Sequence, residues 1–285
     1  MPDLRSLDKA LLYNAFMEAL SDYQMDASGT TEERLLLRAK KNAVDYDASV
    51  GAYDGKQLVG FTMIGIDTVG GTRTAYDAGT GIIPAFRQQG LARKMFEHTL
   101  PRLRDLGVSQ FLLEVLQGND PAIKVYTKSG FEIVREFRCY AAEVASLQAL
   151  PGVADLEIRS ISPAIFHRMV TGADWTPSFE NRFSVIDTIP KHVTSYGAFI
   201  GDTCAGTIAY APQLHWLLTL FVDTPYRRRG VGAALIRHLS ATLPASAKRL
   251  TALNVDGADE GMQSFLQSIG FAHLIDQYEM ARTID

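Results

Sequence analysis

The sequence predicts a mixed α/β fold made of two tandem copies of one domain, each with a mostly antiparallel sheet flanked by helices. Arg87–Ala92 reads RQQGLA, and Arg227–Gly232, 140 positions later, reads RRRGVG. Each motif is followed by a Gly-Phe pair 40 positions after its first glycine, at Gly130-Phe131 and at Gly270-Phe271. Two motifs at the same distance from the same landmark indicate an internal repeat.

Helix and strand patterns alternate along the first half of the chain. Ser6 and Asp8 can cap a first helix, whose apolar residues recur at helical spacing. Thr30-Thr31-Glu32-Glu33 has the spacing of a capping box and starts a second helix. Turn signals at Asp54-Gly55 and Val69-Gly70-Gly71 separate the first three strands. The elements predicted after the two helices are Ser49–Tyr53, Gln57–Ile64, Thr74–Ile83, Leu91–Leu106, Phe111–Leu116, Pro121–Lys128 and Phe131–Tyr140.

The second half follows the same order of elements. Gly60 matches Gly206 at an offset of 146, whereas the arginine-glycine motifs match at 140, so the hairpin between them is six residues shorter in the second copy. Between the halves, Ala145–Asp155 contains Pro151-Gly152 and has little periodic pattern, which predicts domains over residues 1–146 and 153–285. The later elements predicted in the second half are Val231–Leu243, Leu250–Val255 and Glu260–Ser268.

Composition limits the class of protein. The 285 residues suffice for two domains, and 47% hydrophobic with 21% charged residues is typical of a globular chain. A net charge of −4 argues against a general nucleic-acid binder. The two cysteines, one in each half, favour a reducing compartment, and the N-terminal segment lacks a signal-peptide core. The longest apolar run, near Trp216–Val222, is too short to span a membrane. We therefore expect a cytoplasmic protein.

The motif Arg87–Ala92 has the chemistry of a phosphate-binding loop. Gly90 has no Cβ, so the backbone can approach an anion closely. The N–H groups from Gln88 to Ala92 can point at one anion, and the helix dipole adds about 0.3–1 kcal/mol. Arg87 and Arg93 could contribute positive charge outside this loop.

These motifs resemble those of the GNAT N-acetyltransferase superfamily, whose hallmark is (Gln/Arg)-x-x-Gly-x-(Gly/Ala) at the start of a helix. A later signature of that family appears here as Asn119, Ala122, Tyr126, Gly130 and Phe131. The resemblance implies acetyl-CoA as co-substrate, with its pantetheine lying between two splayed strands. The cofactor-binding residues implied are Ile82, Ile83, Arg87, Gln88, Gln89, Gly90, Leu91, Ala92 and Asn119. A possible second coenzyme A site would use Val222, Arg227, Arg228, Arg229, Gly230, Val231 and Gly232.

Tyr126 stands where the family places the tyrosine that hydrogen-bonds the leaving sulfur. A phenol has a pKa near 10 and a thiol one near 8.5, so hydrogen bonding to the developing charge matters at least as much as proton donation. The equivalent residue in the second half is Leu266, which cannot donate. The resemblance therefore implies that the C-terminal domain is degenerate.

The general base is less well defined. Several relatives place a carboxylate or histidine six residues before the equivalent of Ile82, which here is Tyr76. Asp77 is adjacent, but strand alternation turns it to the opposite face unless a bulge intervenes. Glu114, on the neighbouring strand, and an ordered water relay are further alternatives. The histidines show no ligand spacing, so no metal site is expected.

Three functions are compatible with these residues. The first is N-acetyl transfer from acetyl-CoA to a primary amine of a small molecule or polypeptide, by direct attack in a ternary complex and with the N-terminal domain as catalyst. The second is a non-catalytic acyl-CoA sensor or scaffold. The third is a tandem acyltransferase active in its C-terminal domain, as a resemblance to mycothiol synthase would imply. The oligomeric state is left open.

Phe16, Tyr23 and Tyr46 could line the acceptor site. For Phe16 the helical spacing from Leu12 and Leu20 favours a place in the core instead.

Overall fold

The chain forms two compact units in the computed structural model, which describes residues 1–4, 8–22 and 29–285. Unit 1 comprises Met1–Arg135 together with Tyr278–Asp285, and unit 2 comprises Glu136–Gln277. Both are mixed α/β structures, as the sequence predicts. Ser6, a predicted cap of the first helix, and Tyr23, a predicted acceptor-site residue, both lie outside the described residues.

Unit 1 is a mostly antiparallel sheet with helices packed against it. The strand order is β1-β2-β3-β4, followed by the closing part of β11. β2 is antiparallel to both β1 and β3, and β4 runs parallel to β3. The elements are α1 (Lys9–Ala19), α2 (Glu32–Lys41), β1 (Val44–Asp54), β2 (Gln57–Val69), β3 (Thr72–Ile82), α3 (Leu91–Asp105), β4 (Gln110–Leu116), α4 (Asp120–Lys128), the start of β5 (Glu132–Glu143) and the end of β11 (Ala272–Thr283).

Unit 2 repeats this arrangement. Its strand order is β6-β7-β8-β9-β10-β5, and β9 and β10 are the parallel pair. All the other neighbouring strands of the unit are antiparallel. The elements are α5 (Val144–Gln148), β6 (Glu157–Ser160), α6 (Pro163–Val170), α7 (Val185–Thr188), β7 (Thr194–Ile200), β8 (Thr203–Ala211), β9 (Trp216–Val222), α8 (Val231–Thr242), β10 (Arg249–Asp256) and α9 (Glu260–Ser268).

Local sequence signals account for several element boundaries. Asp8 accepts a hydrogen bond from the Ala10 N–H, and Thr31 accepts one from the Arg34 N–H, so both predicted caps are formed. Gly60 pairs with Ile82 and Gly206 with Val222, which confirms that the second hairpin is six residues shorter.

The start of the segment predicted to have little regular structure, Ala145–Asp155, is helical. α5 begins one residue before this segment, overlaps its first residues and buries Val144 and Leu147 in the core of unit 2. A helix of five residues is too short to show a 3.6-residue period, so only its packing against the core reveals it.

The compact units differ from the two sequence repeats at the closing strands. Residues 278–285 complete unit 1 and place Met280 and Ile284 in its core, although they end the second repeat. Part of β5 belongs to unit 2, where it pairs with β10. The ranges 1–146 and 153–285 stay a prediction of how the repeats divide the sequence.

Candidate functional site

The two parallel strands of each unit separate part of the way along their length. In unit 1, β3 pairs with β4 only over Thr74–Tyr76 and Gln110–Leu112. In unit 2, β9 pairs with β10 only from Trp216 to Leu217 and from Thr251 to Ala252. Beyond these short ladders no backbone pairing joins the two strands. We call this unpaired gap between the parallel strands the cleft of the unit.

A β-bulge interrupts β3 where the gap begins. Met63 pairs with Gly79 and Ile64 with Asp77, so Ala78 is the extra residue. Unit 2 has the same irregularity, because Ala209 pairs with Thr219 and Tyr210 with Leu217. A bulge bends its strand and increases the local twist, which helps the two parallel strands to separate.

The bulge does not bring Asp77 to the face of Tyr76. Asp77 pairs with Ile64, and directly paired residues share a face. Ile64 packs in the core with Phe96 and Leu100 of α3, so Asp77 lies on the α3 face of the sheet. Its carboxylate accepts hydrogen bonds from the Gly79 N–H at 3.0 Å and from the Thr80 hydroxyl at 2.9 Å. These hydrogen bonds span Ala78 and stabilise the bulge.

Burial sets the protonation of Asp77. Its side chain lies among buried residues, and this desolvation raises the pKa of the carboxyl to about 6, although hydrogen bonds from Thr80 and from the Gly79 backbone oppose the rise. The Thr80 hydroxyl lies 3.0 Å from that of Thr62, which in turn contacts the Met95 sulfur on α3. Asp77 therefore belongs to a buried polar cluster beneath the sheet.

Tyr76 and Glu114 meet on the opposite face. Tyr76 pairs with Gly65 of β2, which shares its face with Phe61, and Phe61 packs against Phe16 of α1. The Tyr76 hydroxyl donates a hydrogen bond of 2.9 Å to the carboxylate of Glu114 on β4. This bond joins the two strands at the point where their backbone ladder ends. The structure thus separates Tyr76 and Asp77, the two candidate bases, onto different faces.

The glycine loops have the same backbone in both units. Gln88 and Gly90 have φ of 62° and 71°, and Arg228 and Gly230 have φ of 61° and 80°. Alternating left-handed residues of this kind turn successive N–H groups toward one point. α3 begins at Leu91 and α8 at Val231, each directly after its glycine. The loops therefore have the geometry that anion binding at a helix start requires.

The space in front of the two glycines differs. A Cβ added to Gly90 would meet no atom within 4 Å, whereas one added to Gly230 would lie 2.8 Å from the Cγ2 of Val153. In unit 2 the segment before β6 thus lies against the glycine of the loop. No sequence signal marks this contact.

The arginines of the first loop are both paired with carboxylates. The Arg87 guanidinium is bound to Asp22, and Arg93 forms an ion pair of 2.7 Å with Glu97, one turn along α3. That these side chains contribute positive charge outside the loop stays a prediction. What the loop offers an anion is its backbone N–H groups.

Two residues of the signature around α4, Asn119 and Tyr126, make structural contacts in unit 1. Asn119 caps this helix by accepting a hydrogen bond of 3.3 Å from the Ala122 N–H, and Asp259 caps α9 in the same way. The Tyr126 ring packs edge-on against Phe96 and Phe131, with centroid distances of 5.8 and 6.1 Å. The ring is therefore fixed by the core of unit 1, and a role for Asn119 in cofactor binding stays a prediction.

Unit 2 lacks titratable groups at the equivalent positions. Trp216, Leu217, Asn254 and Leu266 replace Tyr76, Asp77, Glu114 and Tyr126, respectively. Leu266 is buried in the core of the unit. Asn254 adopts a φ of 57°, and its side chain bonds Ser178 and Gln277. A cavity of about 70 Å³ lies in this cleft, lined by Trp175–Ser178 and by residues of β9 and β10.

Of the aromatic residues considered for an acceptor site, Phe16 is buried and Tyr46 is partly exposed. Phe16 is buried in the core beside Phe61, at a centroid distance of 6.1 Å. The Tyr46 ring is only partly buried, and the Lys9 ammonium lies 3.3 Å above it. Tyr46 is thus the one of this pair that stays accessible.

Metal-binding clusters and membrane-spanning helices are absent from the described part of the chain. Within residues 1–4, 8–22 and 29–285, His, Cys, Asp and Glu side chains form no cluster that could hold a metal ion. Over the same residues, no helix combines the length and apolar character needed to cross a membrane. Both cysteines are free thiols.

Two units with the same splayed strand pair and the same glycine loop define a tandem α/β protein with one loop of the phosphate-binding type in each unit. The model of the acetyltransferase (GNAT) family matches residues 11–131 and 163–271. The chain belongs to this family, and both repeats carry its fold. The comparison with curated proteins gives no match.

Solved structures with the same tandem architecture cover the whole chain. A tandem GNAT protein from the clavulanic acid biosynthesis pathway aligns with a TM-score of 0.71 at 13% identity, covering 100% of this chain and 97% of its own. A GCN5-related N-acetyltransferase from Sphaerobacter thermophilus aligns with a TM-score of 0.75 at 14% identity, covering 99% and 95%. At these identities the likeness shows the fold.

Proposed function

We propose that the chain is an acetyl-CoA-dependent N-acetyltransferase whose chemistry takes place in unit 1. The observation that carries this proposal is the difference between equivalent positions of the two units. Unit 1 has Tyr76, Glu114 and Tyr126 at these positions, whereas the three equivalent side chains in unit 2 carry no titratable group. The open space in front of Gly90, compared with the contact of Val153 at Gly230, supports the same choice.

The acceptor is proposed to be a primary amine that attacks the thioester directly. The nitrogen forms a bond to the acetyl carbon, the carbon–sulfur bond breaks, and coenzyme A leaves as a thiolate. The loop from Gln88 to Ala92 would bind the pyrophosphate through its N–H groups. Tyr126 would donate a hydrogen bond to the sulfur as its negative charge develops.

We assign proton removal to Tyr76 and Glu114 acting together. The Tyr76 oxygen would accept the proton of the attacking nitrogen while its own proton passes to Glu114 along the 2.9 Å hydrogen bond. Tyr76 acts only as a relay, so the net transfer is from the nitrogen to the Glu114 carboxylate. An alkylammonium has an ordinary pKa near 10 and a carboxyl one near 4, so the transfer is uphill from the free ammonium and becomes favourable only as attack on the thioester lowers the pKa of the nitrogen. The Glu114 carboxyl then loses the proton to water. Asp77 is not assigned this role, because its carboxylate holds the bulge on the other face.

The proposal is tested by the rate of coenzyme A release from acetyl-CoA in the presence of a panel of primary amines. Tyr76→Phe and Glu114→Gln should each lower kcat by about 100-fold, as expected for loss of a general base. Asp77→Asn, a neighbour on the other face, should leave kcat within about threefold of the wild type.

Each alternative gives a different result. An acyl-CoA sensor would bind acetyl-CoA and consume none with any amine. If only Asp77→Asn stopped turnover, the base would lie on the α3 face and our assignment would be wrong. Activity that survives every unit 1 substitution would place the chemistry in unit 2.

A further inference from the structure

In unit 1, Arg87 joins three segments behind the glycine loop. Its Nε donates to the carbonyl oxygen of Ile82, the last residue of β3, at 3.1 Å. One terminal nitrogen donates to the carbonyl of Ala19, the last residue of α1, at 3.0 Å. Both terminal nitrogens donate to the carboxylate of Asp22, at 2.6 and 2.8 Å. A two-point arginine–carboxylate contact fixes the direction of the guanidinium as well as its position.

Unit 2 contains the same arrangement. Arg227 Nε donates to the carbonyl of Val222, the last residue of β9, at 2.9 Å. Its two terminal nitrogens donate to the two carboxylate oxygens of Asp174, both at 2.8 Å. Asp174 directly precedes Trp175–Ser178, which lines the cleft of this unit. Two independent copies of one contact indicate that it serves the loop and is not an accident of one surface.

We propose that Asp22 and Asp174 are positioning residues for the two glycine loops. Each holds its arginine so that the strand end and the start of the loop keep the arrangement in which the loop N–H groups converge. The proposal rests on the proposed function for the identity of the anion, the pyrophosphate of coenzyme A. The aspartates act through arginine and are not assigned a contact with the ligand.

The sign of the effect separates this role from simple electrostatics. Removing a negative charge close to an anion site, and releasing an arginine there, should strengthen coenzyme A binding by charge alone. Loss of a positioning contact should weaken it instead. An ion pair as exposed as this one contributes little to global stability, so the folded fraction should not change.

Asp22→Asn tests the proposal in unit 1. We expect the Kd for coenzyme A by calorimetry, and the KM for acetyl-CoA, to rise about three- to tenfold. kcat should stay within about twofold, because the chemistry lies elsewhere in the cleft. Asp22→Glu, which restores a carboxylate, should recover most of the affinity. Glu97→Gln is the control, because it removes a negative charge and releases Arg93 from an exposed ion pair on α3 without touching the strand end or the start of the loop, and it should not raise KM.

A double substitution tests whether the two side chains act as one. Arg87→Gln removes the guanidinium that contacts Asp22, and it should raise Kd by the same factor as Asp22→Asn. The double variant should raise Kd no more than either single substitution. Unchanged or tighter binding in Asp22→Asn would overturn the proposal, as would additive effects. A wild-type chain that binds coenzyme A but transfers no acetyl group would contradict the proposed function only, since Kd still tests the positioning role.

Discussion

Tyr76 and Asp77 are neighbours in sequence, yet their side chains face different surroundings. The Tyr76 hydroxyl is hydrogen-bonded to Glu114 on the neighbouring strand. The Asp77 carboxylate is hydrogen-bonded to Thr80, which lies in a buried polar cluster with Thr62. The first pair links β3 to β4. The second group stabilises the bulge of β3. Neighbouring residues of one strand thus contact different parts of unit 1, and only the first pair enters the proposed mechanism.

Asp77 makes the stability of unit 1 depend on pH. Its pKa is about 6 in the folded chain, against an ordinary value near 3.9, so the folded state retains a proton that the unfolded state releases. The resulting stabilisation is fully present below pH 4 and is lost as the pH rises through 6, by about 3 kcal/mol in total.

Asp77→Asn removes this titration. Urea unfolding at pH 4.5 and pH 7.5, values that lie on either side of the pKa, should show that the variant gains stability relative to the wild type as the pH rises. Equal pH dependence in both proteins would show that burial does not raise this pKa.

Tyr126 should affect the chemical step and not the fold. Tyr126→Phe keeps the ring contacts with Phe96 and Phe131 and removes only the hydroxyl. We expect kcat to fall by about tenfold or more with little change in KM, because the hydrogen bond strengthens only as the sulfur gains charge. Steady-state kinetics together with a melting curve measure both quantities. A rise in KM at unchanged kcat would assign Tyr126 to substrate binding.

For the helices and strands, the sequence predicts those boundaries that depend on residues close together along the chain. The start of α3 after Gly90 and the cap at Thr31 follow from residues within a few positions, and both are found. The bulge at Ala78 depends on pairing with β2 and has no local signature. The contact of Asp22 with Arg87 joins residues 65 positions apart, and its counterpart in unit 2 spans 53, so the repeat does not reveal it.

The cap of α4 provides a test at this scale. Asn119→Ala should lower the free energy of unfolding of unit 1 by about 1 kcal/mol, because the Ala122 N–H loses its acceptor. Asn119→Asp is the matched control, since Asp259 caps α9 in the other unit, and it should be nearly neutral. Chemical denaturation monitored by circular dichroism gives both values. Equal losses in the two variants would show that the cap does not stabilise the helix.

For the molecule as a whole, the sequence repeat predicts two like folds but not how the chain completes them. The C-terminal residues 278–285 close unit 1, and Arg135 forms a two-point contact with Glu279 there. Pattern and spacing report neighbours along the chain and cannot report this return. The repeat also conceals a difference in chemistry, because the equivalents of Tyr76, Glu114 and Tyr126 no longer titrate in unit 2.

The central claim, that unit 1 binds acetyl-CoA and carries out the transfer, is tested most directly by one matched pair of substitutions. Gly90→Val and Gly230→Val introduce the same side chain at equivalent left-handed positions. Acetyl-CoA turnover with a responsive amine should be lost in Gly90→Val and stay within about threefold of wild type in Gly230→Val, with both proteins folded by circular dichroism. Turnover lost in Gly230→Val but retained in Gly90→Val would assign the active site to unit 2 and contradict the account.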